Sequence, residues 1–333
     1  MYDIMTIGAA TQDVFLSSRA WEIQKDATSP TGLEQCLPLG AKVPVERLAF
    51  AVGGGAANAA ATCAALGLRT AALCRIGADD ISGANVLATF ASRGIAAKFV
   101  QQDRKQHTAY SVVLLSGAGH RTILTHRGAA AAINAKDVSW KRLRARWFYV
   151  SSLGGNLALA RRIFSHAAAH GIAVAWNPGS AELAAGMKAL APLIAKTAMF
   201  NVNREEAKVL TGVQTNEPAA TLQKLRDAVG GGSIGDARYV LMTDGEQGAF
   251  MSVGGATWFA PARSVRAVNA TGAGDAFGSA FVSGLAHGWD APSSLRLAMA
   301  NAEGVIRNMG AQTGILSKLP APQSLARFRV RKV

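Results

Sequence analysis

The sequence predicts an α/β protein, with a three-layer α/β/α core around a mainly parallel sheet and a small second β-sheet outside it. Three observations carry this. From Gly128 to about residue 242, short apolar runs alternate with helix-like stretches, and strands alternating with helices imply a parallel sheet covered on both faces. Glycines stand where helices should stop, at Gly67 and Gly94. Two β-rich stretches, 14–50 and 97–126, break the alternation on either side of a βα unit.

The elements follow in order. Residues 3–9 (DIMTIGA) are a short apolar run ending in glycine, read as a buried strand, with Asp13 just past its end. Residues 14–50 hold Pro30, Gly32, Pro38, Gly40 and Pro44 among charged residues, the composition of an irregular excursion with short strands. The run GGGAANAAATCAALG from Gly53 is a glycine loop entering an alanine-rich helix. A strand over 70–76 and a helix over 80–93 come next. The pieces 97–102, 108–116 and 121–126 are β-branched or alternating, and with 14–50 they compose the second sheet. Strands over 146–151, 172–176, 198–201 and 238–242 then alternate with helices over 156–170, 181–190 and 203–210. A hairpin over 247–260 and helices over 272–287 and 291–308 complete the chain. The expected division is a core of 1–13, 51–96 and 127–333, with 14–50 and 97–126 outside it.

Composition sets the function classes aside or leaves them open. Half of the 333 residues are hydrophobic and 17% are charged, which fits a globule rather than a disordered or fibrous chain. Cys36, Cys63 and Cys74 are odd in number and lack metal-ligand spacing, so neither a disulfide framework nor a zinc site is expected and a reducing cytoplasm is the simplest compartment. No basic-then-apolar leader opens the chain and no apolar run nears the ~20 residues of a membrane span, so no membrane partner is expected. The formal charge of +14 and the basic tail Arg327, Arg329, Arg331 and Lys332 raise the question of nucleic acid. No recognition module accompanies them, and no specific nucleic-acid partner is expected.

Three motifs carry chemistry. In Val268-Asn269-Ala270-Thr271-Gly272-Ala273-Gly274-Asp275-Ala276-Phe277, small residues turn the chain into an apolar helix. Free backbone N–H groups and the helix N-terminus can hold an anion there, with the Asp275 carboxylate beside it; an aspartate in a first helical turn can equally be a cap. GxxxxGK followed by Ser or Thr is absent, and GAGDAFG has the wrong third-glycine spacing for a dinucleotide fingerprint. In Gly53-Gly54-Gly55-Ala56-Ala57-Asn58, bare backbone can touch a ligand and Asn58 offers a donor and an acceptor to a hydroxyl; tight helix–sheet packing is the other reading. In Asn203-Arg204-Glu205-Glu206, at a strand end and a helix start, Asn203 and Glu206 share a helix face or a cap, and a carboxylate there can hold hydrated magnesium.

In combination, GGxxxNxA, then NxxE, then GAGDxF, in this order and at these separations, resemble the ribokinase-like or PfkB family of carbohydrate kinases over nearly the whole chain. Gly77-Ala78-Asp79-Asp80 with Gly83, Thr243 to Gly248, and Gly310-Ala311-Gln312 add to the match. The resemblance implies a ribokinase-like fold and an ATP-dependent kinase acting on a hydroxyl of a sugar or nucleoside. It implies Asp275 as general base and the amides of Gly272, Ala273 and Gly274 as an anion hole. Asp13, Gly54 and Asn58 match positions that hold sugar hydroxyls; Asn203, Thr243, Gly245 and Gly310 match the ATP side; Glu206 matches a magnesium motif that acts through water. The second sheet matches a lid over the sugar, through which relatives often pair as homodimers.

Two departures qualify the match. The family often has Asp-Thr where this chain has Asn269-Ala270, and that aspartate helps hold a monovalent cation, so cation activation is in doubt here. Gly55 stands where many ribokinases and phosphosugar kinases carry lysine, which turns the expectation away from ribose itself and from phosphorylated sugars. The segment Ser17 to Gly40 either enlarges the lid, mediates dimerisation or is a loose insertion. The rival functions are a non-catalytic sugar- or nucleotide-sensing protein on the same fold, disfavoured by the intact GAGD, and a vitamin-type kinase of the wider fold group, disfavoured by Asn58.

Overall fold

The computed structural model describes residues 1–29, 32–116, 121–131, 133–214, 217–228 and 239–333. The other parts of the expected second sheet and core, including the first residue of the strand predicted over 238–242, lie outside the described residues. In chain order the elements are β1 (Tyr2–Ile7), β2 (Thr11–Ser17), β3 (Glu22–Lys25), β4 (Leu33–Cys36), β5 (Arg47–Gly53), α1 (Gly55–Ala65), β6 (Thr70–Leu73), β7 (Arg75–Gly77), α2 (Ile81–Ser92), β8 (Gln101–Asp103), β9 (Ala109–Leu115), β10 (Arg121–His126), β11 (Ala145–Val150), α3 (Leu157–Ala169), β12 (Ala173–Trp176), α4 (Ser180–Leu183), α5 (Gly186–Ile194), β13 (Met199–Asn203), α6 (Arg204–Thr211), α7 (Pro218–Ala228), β14 (Tyr239–Thr243), β15 (Gly248–Val253), β16 (Ala256–Pro261), α8 (Ala273–Ala286), α9 (Ala291–Ile306) and β17 (Arg331–Lys332).

Among the described residues the central sheet runs β17-β16-β15-β14-β13-β12-β11-β1-β6. The six strands from β14 to β6 are parallel and the three at the other edge antiparallel. Side-chain alternation along β11 shows the two covered faces. Phe148 and Val150 join a core with Ile163 of α3, Leu190 of α5 and Leu222 of α7, whereas Tyr149 joins one with Ala59 of α1, Phe281 of α8 and Leu295 of α9. Alanines make α1 fit: Ala56, Ala57, Ala59, Ala60 and Ala61 are all buried, so the helix sits close to both the sheet and α8 without giving up helix propensity.

The chain leaves β1 for β6 on one side and later returns as β11 on the other, so β1 and β11 form a switch point whose carboxyl ends open a crevice. Over that crevice lies a second sheet in the order β10-β9-β2-β5. Its boundaries differ from the expected ones. β2 begins at Thr11, which brings Asp13 into the small sheet; β5 runs on to Gly53; and β8 pairs with β7 in a separate two-stranded ladder. The physical reason is that β2 is one uninterrupted strand, with Asp13, Phe15 and Ser17 pointing to one face and Gln12, Val14 and Leu16 to the other. Within the Ser17 to Gly40 segment, β3 and β4 form their own antiparallel hairpin.

Three further differences appear. The strand predicted over 70–76 divides into β6 and β7, because the chain turns away to meet β8. The helix predicted over 181–190 is two helices, separated at Gly186, whose φ of +76° no helix interior takes. Helix α7 and strand β17 were not anticipated.

Candidate active site

Three successive glycines bring the crevice walls together. A Cβ on Gly53 would lie 2.6 Å from Asp13 Cγ; one on Gly54, at φ +88°, would lie 2.6 Å from the Ala9 carbonyl oxygen; one on Gly55 would lie 2.6 Å from Ser151 Cβ and 3.4 Å from Asp275 Oδ1. The packing reading therefore holds for the Gly54 backbone, and the Ala9 carbonyl accepts the Ala56 and Ala57 amides at 3.0 and 3.4 Å. The same packing seats the start of α1 against two carboxylates, which is how these glycines shape the site.

At the head of α8, Asn269 Oδ1 accepts the Thr271 amide at 3.0 Å and Gly272 turns the chain at φ +79°. The Ala273 amide makes a long 3.3 Å bond to the Ala270 carbonyl. Among the described residues the Gly272 and Gly274 amides have no protein acceptor, and no side chain caps the helix. A Cβ on Gly274 would meet nothing within 4 Å, so the approach to these donors is open. Free N–H groups at a helix N-terminus attract an anion.

The Asp275 carboxylate does not turn back to cap its own helix. Its Oδ2 accepts from Asn58 Nδ2 at 2.9 Å, across 217 residues of sequence, and Asn58 Oδ1 in turn accepts from Gln312 Nε2 at 3.3 Å. Burial pushes the Asp275 pKa up, the Asn58 hydrogen bond opposes that, and the nearby Asp13 charge adds to the rise. Asp13 is itself raised by burial, against hydroxyl hydrogen bonds from Thr11 and Ser111. Asp13 and Asn58 are each only 5% exposed. Thus β2, α1, α8 and the loop after α9 each deliver one polar side chain to a single buried spot.

The second predicted group lies at the ends of β13 and β14, where Asn203 and Thr243 are register partners. Asn203 and Glu206 form a reciprocal capping box on α6. Burial raises the Glu206 pKa, the Asn203 amide opposes it, and the Asp275 charge raises it further, so the two carboxylates feel one another. Gly245, at φ +51°, is exposed just beyond Thr243, beside an Arg204–Asp244 ion pair of 3.0 Å. Gly310 stands elsewhere. A Cβ there would be 3.2 Å from Thr313 Oγ1 and 3.6 Å from Ala51 Cβ, which puts this glycine against the small sheet rather than beside Thr243.

Sequence reasoning named Gln312 within Gly310-Ala311-Gln312 without giving it a role, and did not single out Thr11, Ser111 or Ser151. Only Gln312 carried a signal, as the residue after Gly310-Ala311; the others act through contacts that sequence spacing does not show.

The comparisons with known proteins bear on the family and the fold. The pfkB family carbohydrate kinase profile matches residues 32–318. A ribokinase of Haemophilus influenzae is 28% identical over 281 residues, 80% of this chain and 84% of its own. A deoxyribokinase of Salmonella typhi is 26% identical, covering 81% of this chain and 86% of its own. Among solved structures, Arabidopsis thaliana ribokinase with ribose and ATP superposes at TM-score 0.73 and 20% identity, covering 98% of both chains. Burkholderia thailandensis nucleoside kinase with inosine gives TM-score 0.73 and 20% identity, covering 98% of this chain and 97% of its own.

Proposed function

The chain belongs to the pfkB family of carbohydrate kinases and is a phosphotransferase with an alcohol group as acceptor; from that premise we propose that it transfers the γ-phosphoryl group of ATP to a hydroxyl of a sugar or nucleoside, with Asp275 as the general base. One observation carries this reading: a half-buried carboxylate, shifted upward by desolvation, stands at the open head of α8, bonded to Asn58 instead of to its own helix.

In this reading Asp13, the remaining N–H of Asn58 and the backbone at Gly54 hold the acceptor, whose reacting hydroxyl gives its proton to Asp275. Burial makes Asp275 a stronger base than a solvated aspartate, and the Asn58 hydrogen bond favours its ionised form. The amides of Gly272 and Gly274, with that of Ala273, neutralise charge developing on the moving phosphoryl. Asn203, Thr243, Gly245 and, from the small-sheet side, Gly310 line the nucleotide. The relatives' bound ribose, ATP and inosine support this substrate range.

Magnesium fits the residues present. Among the described residues no group of three or more His, Cys, Asp or Glu side chains gathers to hold a metal alone. Magnesium ordinarily needs only one or two carboxylates in addition to water and substrate phosphates, and Glu206 supplies one, with one oxygen beyond the capping bond. Bound there, the ion would offset phosphate charge.

The small sheet acts as the lid in this reading, since it carries Asp13. Its outer face bears a cross-strand row of Phe50, Val14, Val112 and Leu124, of which Phe50 and Leu124 are exposed. A second copy of the chain is the fitting cover, and sedimentation as a monomer would remove that part of the reading. The buried free thiols of Cys63 and Cys74, each pushed up to about 12, suit a reducing cytoplasm. Among the described residues no helix is long and apolar enough to cross a membrane.

The central test is Asp275→Asn. Asparagine can still accept from Asn58 but cannot take the hydroxyl proton, so kcat should fall about 10²–10⁴-fold, roughly 3–5.5 kcal/mol of barrier, with ATP affinity retained. A variant that keeps more than about a tenth of the wild-type kcat sinks Asp275 as the base.

A further inference from the structure

We infer that Gln312 is a positioning residue that sets the direction of the hydrogen-bond chain Gln312→Asn58→Asp275 and thereby keeps the Asp275 carboxylate paired with a donor. This deepens the reading of Asp275 as general base and rests on it.

The two ends of the Asn58 side chain are nearly the same size, so packing alone does not decide whether Oδ1 or Nδ2 faces Asp275. Partners decide. In the observed arrangement Gln312 Nε2 donates to Asn58 Oδ1 at 3.3 Å and Asn58 Nδ2 donates to Asp275 Oδ2 at 2.9 Å. Turning Asn58 over alone, with Gln312 left as it is, would set an oxygen against the carboxylate and an NH₂ against the NH₂ of Gln312. Both Asn58 and Gln312 are buried, at 5% and 8% exposure, so water is a poor substitute for either partner.

The surroundings make this donor matter. Among the described residues, the charged or ionisable groups coupled to Asp275 are Asp13 from β2, Glu206 from α6 and the buried Tyr149 phenol from β11. Cys63 of α1 lies one turn below, against Ser279 and Ser283 of α8. All of these are acids. Asn58 is the side chain that favours the ionised form of Asp275, and Gln312 is the group that holds Asn58 in the direction required. Among the described residues Gln312 makes its hydrogen bond to Asn58 and none to Asp275, so its effect passes through Asn58.

The reverse chain is also meaningful. Once Asp275 carries the acceptor's proton, its hydroxyl can donate to Asn58 Oδ1 and Asn58 Nδ2 to Gln312 Oε1, with every partner satisfied. The protonated state is thus accommodated by turning two amides, and the resting direction is the one that leaves Asp275 ready to accept.

The test uses full-length Gln312→Leu and Gln312→Glu, read by kcat/KM against pH and by thermal unfolding. Gln312→Leu removes the donor and lets Asn58 turn over, which favours protonated Asp275. The ratio of kcat/KM on the acid limb of the profile to that on its alkaline plateau should fall about three- to tenfold below wild type, with the lost rate recovered in alkali. Gln312→Glu places an acceptor where the donor was and adds a negative charge, so its ratio should fall further. A merely structural glutamine would lower the rate by the same factor at every pH, and that result, or an opposite shift, overturns the inference. Should Gln312→Glu fail to fold, Gln312→Leu decides alone, and a carboxyl-¹³C titration of Asp275 in the folded variant reads the same shift without turnover. Asp275→Asn separates the two claims. If it stays active, the base assignment fails; if it is inactive while Gln312→Leu keeps the wild-type pH profile, only the role of Gln312 fails.

Discussion

Asn203 and Glu206 hold each other at the head of α6: the Glu206 amide donates to Asn203 Oδ1 at 2.8 Å, and the Asn203 amide donates to Glu206 Oε2 at 2.8 Å. This mutual cap accounts for the N-x-x-E spacing without any ligand. It does not account for the electrostatic coupling of Glu206 to Asp275. Glu206→Gln separates the roles, because glutamine closes a capping box as well as glutamate does but brings no charge. The expected outcome is an unfolding midpoint close to wild type together with about tenfold or more magnesium needed for half-maximal rate. An unchanged magnesium requirement would reduce Glu206 to a cap.

Asn269 makes a second prediction about ions. Its side chain is 3% exposed, its Oδ1 is committed to the Thr271 amide, and among the described residues its Nδ2 has no partner. What it adds to the turn beyond that bond is a donor, which repels a cation, where a carboxylate would attract one. Replacing potassium by a large organic cation at constant ionic strength should therefore change kcat only slightly. A drop of about tenfold or more would show that backbone carbonyls suffice for a cation site. Asn269→Asp is expected to introduce potassium dependence.

The parallel core was legible in the sequence because each strand is a short apolar run and each early helix ends at a glycine, as at Gly67 and Gly94, whose φ values are +85° and +66°. The region around Asp275 stood out because small residues lead into an apolar helix beside a carboxylate, a pattern that left capping and anion binding both open. Other features were not legible. Gly77 and Gly83 entered only as a motif match with no physical reason attached; a Cβ on Gly77 would lie 2.8 Å from the Thr108 amide, a contact made through the fold and invisible in spacing. The start of β2 at Thr11 is hidden because Gln12 and Asp13 are polar but buried. Helix α7 shows only a weak signal, with Pro218 at its head and Leu222 and Leu225 as its buried contacts among polar residues. Gly310 illustrates the opposite limit: a motif match names the residue, and only the fold shows that it rests against Ala51.

The lid reading has a dynamic consequence. The small sheet carries Asp13 to the crevice, and its contact with the loop after α9 is a compact apolar patch of Phe15, Val113 and Leu115 with Met309. An acceptor that bonds Asp13 should hold the sheet down. Hydrogen exchange over 11–17, 47–53, 109–115 and 121–126 is expected to slow when the correct acceptor is added. Protection confined to the ends of β13 and β14 and the head of α8 would show that this sheet does not close.

Asp80 and Thr108 tie the core to the small sheet. Asp80 caps α2 through the Gly83 amide and also accepts from the amide and hydroxyl of Thr108, the residue before β9, while the Thr108 hydroxyl accepts from the Gly77 amide at 2.9 Å. Burial alone would raise the Asp80 pKa. The hydrogen bonds from Thr108 and Gly83, with His107 nearby, outweigh it and hold the group below the ordinary aspartate value. A carboxylate with a depressed folded value contributes stability that is fully present above its unfolded value, near 3.9, and is lost as pH falls through the folded value. Asp80→Asn keeps a capping oxygen but loses the charge and an acceptor, so it should destabilise the protein by about 1–2 kcal/mol at neutral pH, allowing for the solvent that still reaches the site. In acid the gap should narrow, because wild-type Asp80 becomes protonated too. Urea unfolding of both proteins at about pH 7 and about pH 3.5 tests this, and a gap of constant size would mean that Asp80 acts through its shape and not its charge.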